Sequence, residues 1–203
     1  VNTGRGGLYA FASGETLSGE MSVSDADVSI VGEGIASQTG ESVVNAGDLN
    51  GDGLDDLLVG APDRDLLGDN RGAVYLITML LGGNLVDVAE LEIQGQVNEG
   101  RFGSSIAGTS DLDGLGPGIA AGMPSAEGGT VFLFSGDLSG RLTTEDAVGA
   151  VIGAGSDEDG DGVGASVLAN IDYDGDGILD LIIGADTRNA GSGEVAVFLG
   201  GGL

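Results

Sequence analysis

The chain has no histidine, cysteine, lysine or tryptophan. Without histidine and cysteine it lacks the commonest general base, the thiolate nucleophiles and most zinc or copper sites. Its serines have no histidine to activate them, and serine–lysine chemistry is excluded. Cationic charge is also scarce: six arginines face 33 acids, for a formal charge of −27. Such a balance argues against nucleic acid and against anionic membrane surfaces as partners. No run reaches 18 apolar residues, so no membrane insertion is expected. The chain begins at Val1 rather than Met, which suits a processed or excised piece. Carboxylate pairs remain chemically available, but no acid outside the loops described next stands out, and the expectation is a non-enzymatic protein. What is abundant is glycine, 42 residues, beside an apolar content of 41%. That combination predicts short strands and many tight turns rather than a disordered tract.

The segment Asp48–Leu57, DLNGDGLDDL, recurs as Asp172–Leu181, DYDGDGILDL. Side-chain oxygens fall at positions 1, 3, 5 and 9: Asp48, Asn50, Asp52 and Asp56 in one copy, Asp172, Asp174, Asp176 and Asp180 in the other. Position 7, Leu54 or Ile178, offers a backbone carbonyl. Calcium takes six to eight oxygens at short range, and a tight loop of this spacing supplies them. Gly51, Gly53, Gly175 and Gly177 allow the backbone to curl round an ion. An EF-hand would require a glutamate at position 12, where Val59 and Ile183 stand instead. Each loop runs into a short apolar segment ending at Gly-Ala, which reads as a buried strand. The loops are therefore expected to join two strands and to hold Ca2+. A further run places Asp157, Asp159 and Asp161 at alternate positions, but Ala165 stands where the closing acid would be. A solvated turn is the reading preferred there, and a third ion the alternative.

The loops belong to a longer repeat. Asp48, Asp111 and Asp172 are 63 and 61 residues apart, and a glycine stands eight residues before each: Gly40, Gly103 and Gly164. Gly60, Gly122 and Gly184 follow the loops at intervals of 62 residues. Apolar runs come next, GAVYLI (72–77), GTVFLF (129–134) and GEVAVF (193–198); weaker ones precede each unit at 27–32, 89–95 and 147–153. About four strands per unit of about 62 residues is the pattern of tandem propeller blades. The fold class is all-β, with blades at 13–78, 79–136 and 137–203. Residues 1–12 hold an orphan strand, GGLYAFA, that would close a preceding blade. No helix is expected. Tyr9, Tyr75, Phe132, Phe11, Phe134 and Phe198 recur in the last strand of each unit, which favours blade packing over a sugar platform. The glycine-rich stretches fall inside repeat units and lack the lysine of a phosphate loop.

Phe102-Gly103, Gly60-Ala61-Pro62 and the acidic loops between such pairs resemble the FG-GAP repeat of integrin α-subunit propellers and related surface proteins. The resemblance covers the chain as three imperfect repeats. Thr39-Gly40 replaces FG in the first, Gly122-Met123-Pro124 replaces GAP in the second, and Val163-Gly164 with Gly184-Ala185-Asp186 stands in the third. In the second loop Leu115 and Ile119 replace the later acids, leaving Asp111 and Asp113. The resemblance implies a seven-bladed ring in the complete parent and calcium in hairpin loops on one face. It implies an extracellular or cell-surface setting and a role in adhesion or protein contact. Two other readings stand beside it: a subunit that assembles with its own copies through open blade faces, and an accessory domain of a secreted hydrolase.

Overall fold

The computed structural model describes residues 4–11, 19–65, 69–109, 111, 116–126, 128–136, 138–154 and 161–200. The strands are β1 (Gly7–Ala10), β2 (Val28–Val31), β3 (Ser42–Gly47), β4 (Asp56–Ala61), β5 (Ala73–Ile77), β6 (Gly83–Asn84), β7 (Leu91–Gln94) and β8 (Ser105–Thr109). They continue as β9 (Gly118–Met123), β10 (Thr130–Ser135), β11 (Gly140–Thr143), β12 (Gly149–Ile152), β13 (Val163–Ile171), β14 (Asp180–Ala185) and β15 (Glu194–Phe198). The fold is all-β. Against the expectation of no helix, single helical turns occur at Leu85–Val88 and Arg188–Gly191.

Two sheets are complete antiparallel blades, β3-β4-β5-β7 and β8-β9-β10-β12. A third holds β13-β14-β15, and the N-terminal one pairs β1 with β2. β6 and β11 each cross back to lie parallel to the outer strand of the preceding sheet, β6 on β2 and β11 on β7. This grouping differs from the blade limits 13–78, 79–136 and 137–203. The segments at 27–32, 89–95 and 147–153 do not open the units that follow them. They close the preceding sheets: Tyr9 pairs with Ser29, Tyr75 with Glu92 and Phe132 with Ala150. The reason lies in the pairing between strands. Each outer strand continues a hydrogen-bond ladder, and a glycine just beyond it, Gly32, Gly95 or Gly153, donates to the carbonyl of Gly6, Gly72 or Gly129.

The central strands of the two complete blades are apolar on both faces because those blades are covered on both sides. All five residues of β5 are buried, as is most of β4. Between the two complete blades Phe102 meets Phe132 and Phe134 edge-on, with centroids 5.9 and 6.2 Å apart. Val74, Leu76, Leu91, Ile93, Ile106 and Met123 complete that layer. The layer between β1–β2 and the first complete blade contains Ile30, Val59, Tyr75 and Ile77. The layer beneath β13–β15 contains Val131, Val163, Leu181 and Ile183, with Phe198 packed against it. The repeat-locked aromatics Tyr75, Phe132, Phe134 and Phe198 thus lie in the packing layers, whereas Tyr9 on β1 is half exposed.

The motif glycines are where blades touch. A β-carbon on Gly60 would lie 2.1 Å from the carbonyl oxygen of Gly103 in the next blade, and one on Gly122 would lie 2.2 Å from that of Gly164. Ser42 Oγ donates to the Gly103 carbonyl at 2.8 Å, and Ser105 Oγ to that of Gly164 at 2.6 Å. The third copy of this arrangement, Gly184 with Ser166, has its outward side exposed, as are Val195 and Leu168 on the same sheet.

Candidate metal centre

The two acidic loops join β3 to β4 and β13 to β14, each a hairpin between antiparallel strands. Both loops fold by the same internal code. Asp48 Oδ1 accepts from the Gly51 amide at 2.7 Å and Oδ2 from that of Gly53 at 2.9 Å. Asp172 does the same with Gly175 at 2.7 Å and Gly177 at 3.1 Å. Asn50 Oδ1 accepts from the Asp52 amide, as Asp174 Oδ1 does from that of Asp176. Asp52 Oδ1 takes the Leu54 amide and Asp176 Oδ1 the Ile178 amide. Gly51, Gly53, Gly175 and Gly177 all have φ between 80 and 88°, where a β-carbon would be strained. The alternating spacing folds each loop back onto its own amides, and in the second loop Asp172, Asp174 and Asp176 each place one oxygen within 4.8 Å of the others, whereas Asp48, Asp52 and Asp56 are not gathered in that way.

The closing acids are buried and differ from each other. Asp56 is fully buried; its Oδ2 accepts from the Leu49 amide at 2.8 Å and the Asn50 amide at 3.2 Å. Its Oδ1 is buried without a hydrogen-bond partner. Burial pushes the Asp56 carboxyl above its usual range against the two amides that pull it down, and the nearby charges of Asp52 and Asp48 push it further up. Asp180 is equally buried, but both its oxygens are engaged, Oδ2 by the Tyr173 amide at 2.6 Å and Oδ1 by the Gly200 amide at 2.8 Å. The Gly200 and Tyr173 amides hold its carboxyl below the usual range. A buried carboxylate oxygen with no donor is costly to leave bare. It fits a hard cation, for which Asp48, Asn50, Asp52 and Asp56 would be the side-chain donors and Leu54 the backbone donor. The second loop offers Asp172, Asp174, Asp176 and Asp180 with the Ile178 carbonyl.

Of the lesser run, Asp157 and Asp159 lie outside the described residues, as does Asp113 of the degenerate loop. Asp161 is described and buried, and its Oδ2 accepts from the Ala154 amide at 2.8 Å. That is the seven-residue back-contact that Asp56 makes with Leu49 and Asp180 with Tyr173. Asp161 therefore repeats that contact, but at the opposite end of β13 from Asp172. A nine-residue strand separates the two ends, roughly 25–30 Å.

Sequence reasoning missed two residues, one at the second loop and one beyond the end of β4 opposite to Asp56. Gly200 follows the last strand and carries no motif of its own. Arg64, just after Gly60-Ala61-Pro62, is 5% exposed and meets Glu33 at 2.5 Å and Glu92 at 2.6 Å. Its guanidinium lies over the Tyr75 ring at 5.6 Å. The only sequence signal for Arg64 was the rarity of arginine.

Residues 39–77 and 163–198 match the FG-GAP repeat family model. The chain is 46% identical over 118 residues to integrin alpha-5 of Xenopus laevis, covering 54% of this chain and 11% of that protein. It is 37% identical over 116 residues to human integrin alpha-6, covering 55% and 10%. It is 35% identical over 144 residues to integrin alpha pat-2 of Caenorhabditis elegans, covering 66% and 11%. The chain thus spans about a tenth of the length of these relatives. It carries FG-GAP repeats and resembles the integrin α-subunit β-propeller.

Proposed function

We propose that this FG-GAP chain is a calcium-stabilised segment of an extracellular β-propeller that serves adhesion or protein contact and performs no catalysis. The observation that carries the cation is the buried, donor-less Oδ1 of Asp56, the closing acid of the first loop. Asp48, Asn50, Asp52, Asp56 and the Leu54 carbonyl would hold the first ion. Asp172, Asp174, Asp176, Asp180 and the Ile178 carbonyl would hold the second. When bound, the ion supplies positive charge that offsets the repulsion among the carboxylates and fixes the hairpin. Flexible all-oxygen loops suit calcium over magnesium, which demands a near-ideal octahedron. The integrin likeness and the abundance of calcium outside cells support the extracellular setting, and the same likeness supports a protein partner. No helix among the described residues is long and apolar enough to cross a membrane.

Thermal melts in calcium, magnesium and chelator test the cation reading. A ligand held only by the folded state at about 100 times its dissociation constant adds about 2.7 kcal/mol. Melting curves that coincide in all three conditions would remove it. A second reading, assembly with further copies, is favoured by one observation. β1, β5 and β10 each carry an outer strand, whereas among the described residues β15 pairs only with β14. An unpaired edge invites strand addition. The native mass in solution distinguishes a lone chain from an assembly.

A further inference from the structure

The two loops share their spacing and internal hydrogen bonds, yet their closing acids stand in different states. Asp56 has one oxygen bonded to loop amides and one buried with no partner. The first loop therefore bears a desolvation cost that only an incoming positive group relieves. Asp180 bears no such cost: Tyr173 satisfies one oxygen and Gly200, twenty residues on, satisfies the other. Gly200 is wedged there, since a β-carbon on it would lie 2.3 Å from the Leu179 carbonyl oxygen and 2.6 Å from Ile178 Cγ2. The chain leaving β15 thus runs beside the position-7 residue with no room for a side chain, and its Gly200 amide bonds the position-9 acid of the second loop. The corresponding strand exit of the first loop, at Thr78 and Met79, makes no bond to Asp56 among the described residues.

We infer that the first loop is the obligatory cation site and that the Gly200 amide acts as an internal competitor at the second, so that a cation binds there only as the chain at 199–200 gives up Asp180. This inference rests on the cation reading above and orders its two sites. Charge count alone orders them the other way. The second loop has four side-chain carboxylates where the first has three and an amide, and charge count is one of the factors that tune such affinities. The measured ranking therefore separates the two arguments. By linkage, whatever cation binding costs the Gly200–Asp180 bond, that bond costs cation binding.

Tyr173 supplies a site-specific signal, because it sits at position 2 of the second loop and the first loop has Leu49 there. Terbium luminescence sensitised by Tyr173 reports the second loop, and its displacement by calcium gives that loop's affinity. Calorimetry of calcium on the same chain gives both classes of site, and Asp52→Ala identifies the first. The expected result is a second loop at least about tenfold weaker than the first. Gly200 amide hydrogen exchange should be slow in chelator and faster in saturating calcium. A chain ending at Leu199 should bind calcium at the second loop more tightly than the full chain. Equal or tighter binding at the second loop of the intact chain would overturn the inference while leaving the cation reading standing. So would Gly200 exchange that is unchanged or slowed by calcium. Absence of binding at both loops would overturn the two together.

Discussion

Gly60 lies beneath the carbonyl of Gly103 in the neighbouring blade, with 2.1 Å left for any β-carbon. The same relation joins Gly122 to Gly164. These contacts give the repeat its glycines: one blade's second strand must let the next blade's backbone pass directly over it. Gly60→Ala and Gly122→Ala should each force the blades apart. Overpacking at such a contact costs about 1–3 kcal/mol, and here the obstacle is backbone that cannot rotate away. Gly149→Ala is the control, because its β-carbon would meet only Leu133 Cδ1 at 3.7 Å. Urea midpoints of the three variants check this; equal midpoints would dismiss the contact as a stability determinant.

Arg64 should be the most costly arginine to remove. It lies between Glu33, just beyond β2, and Glu92 on β7, so it ties the N-terminal strand pair to the first complete blade. Arg64→Ala leaves Glu92 buried, with exposed Arg141 at 3.1 Å as its remaining cation and the Gln94 amide at 2.8 Å. Breaking a buried pair from one side typically costs about 3–5 kcal/mol. Arg101 bonds Asp63 and Glu41 but is about a third exposed, and exposed pairs are worth about 0–1 kcal/mol. Chemical denaturation of Arg64→Ala and Arg101→Ala should show that gap.

Asp52→Ala and Asp176→Ala should each abolish one calcium site, whereas Asp113→Ala should change neither. The first two remove one of four side-chain donors from a full loop. The third alters a loop in which Leu115 and Ile119 already replace two donors. Calorimetric counting should give two sites in the native chain and one in each of the first two variants. Loss of tight binding in Asp113→Ala would contradict the assignment of sites.

The acidic loops and the four-strand rhythm are legible in the sequence because each is written locally. Asp48 to Asp56 is a nine-residue code, and an apolar run such as AVYLI or EVAVF marks a strand wherever its blade stands. The sheet that a strand joins is not local. Leu91 and Ile93 read equally well as the first strand of one unit or the last of the previous one. Only the ladder from Tyr75 to Glu92 decides it. The Asp180–Gly200 bond is set by the length of the β14–β15 hairpin, and neither residue's neighbours in sequence announce it. Arg64 is similar: its two carboxylate partners lie 31 residues before it and 28 after it.

The two closing acids should answer the same substitution with opposite signs in the absence of calcium. In chelator, the Asp56 carboxylate is buried, has one bare oxygen and is repelled by Asp52 and Asp48. Asp56→Asn removes the charge while keeping an oxygen for the Leu49 and Asn50 amides, so the variant should melt higher than the native chain in chelator. In calcium the order should reverse, because the variant has lost a charged ligand and with it the stabilisation that binding confers. Asp180→Asn has no such gain available. Its charge is held by the Gly200 and Tyr173 amides, which are better partners for a carboxylate than for an amide, and one of its two oxygens becomes a donor facing a donor. It should melt lower than the native chain in both conditions. Four melts per variant pair, with and without calcium, decide the matter. If Asp56→Asn melts lower in chelator as well, the bare Asp56 oxygen is not a cost that a cation relieves.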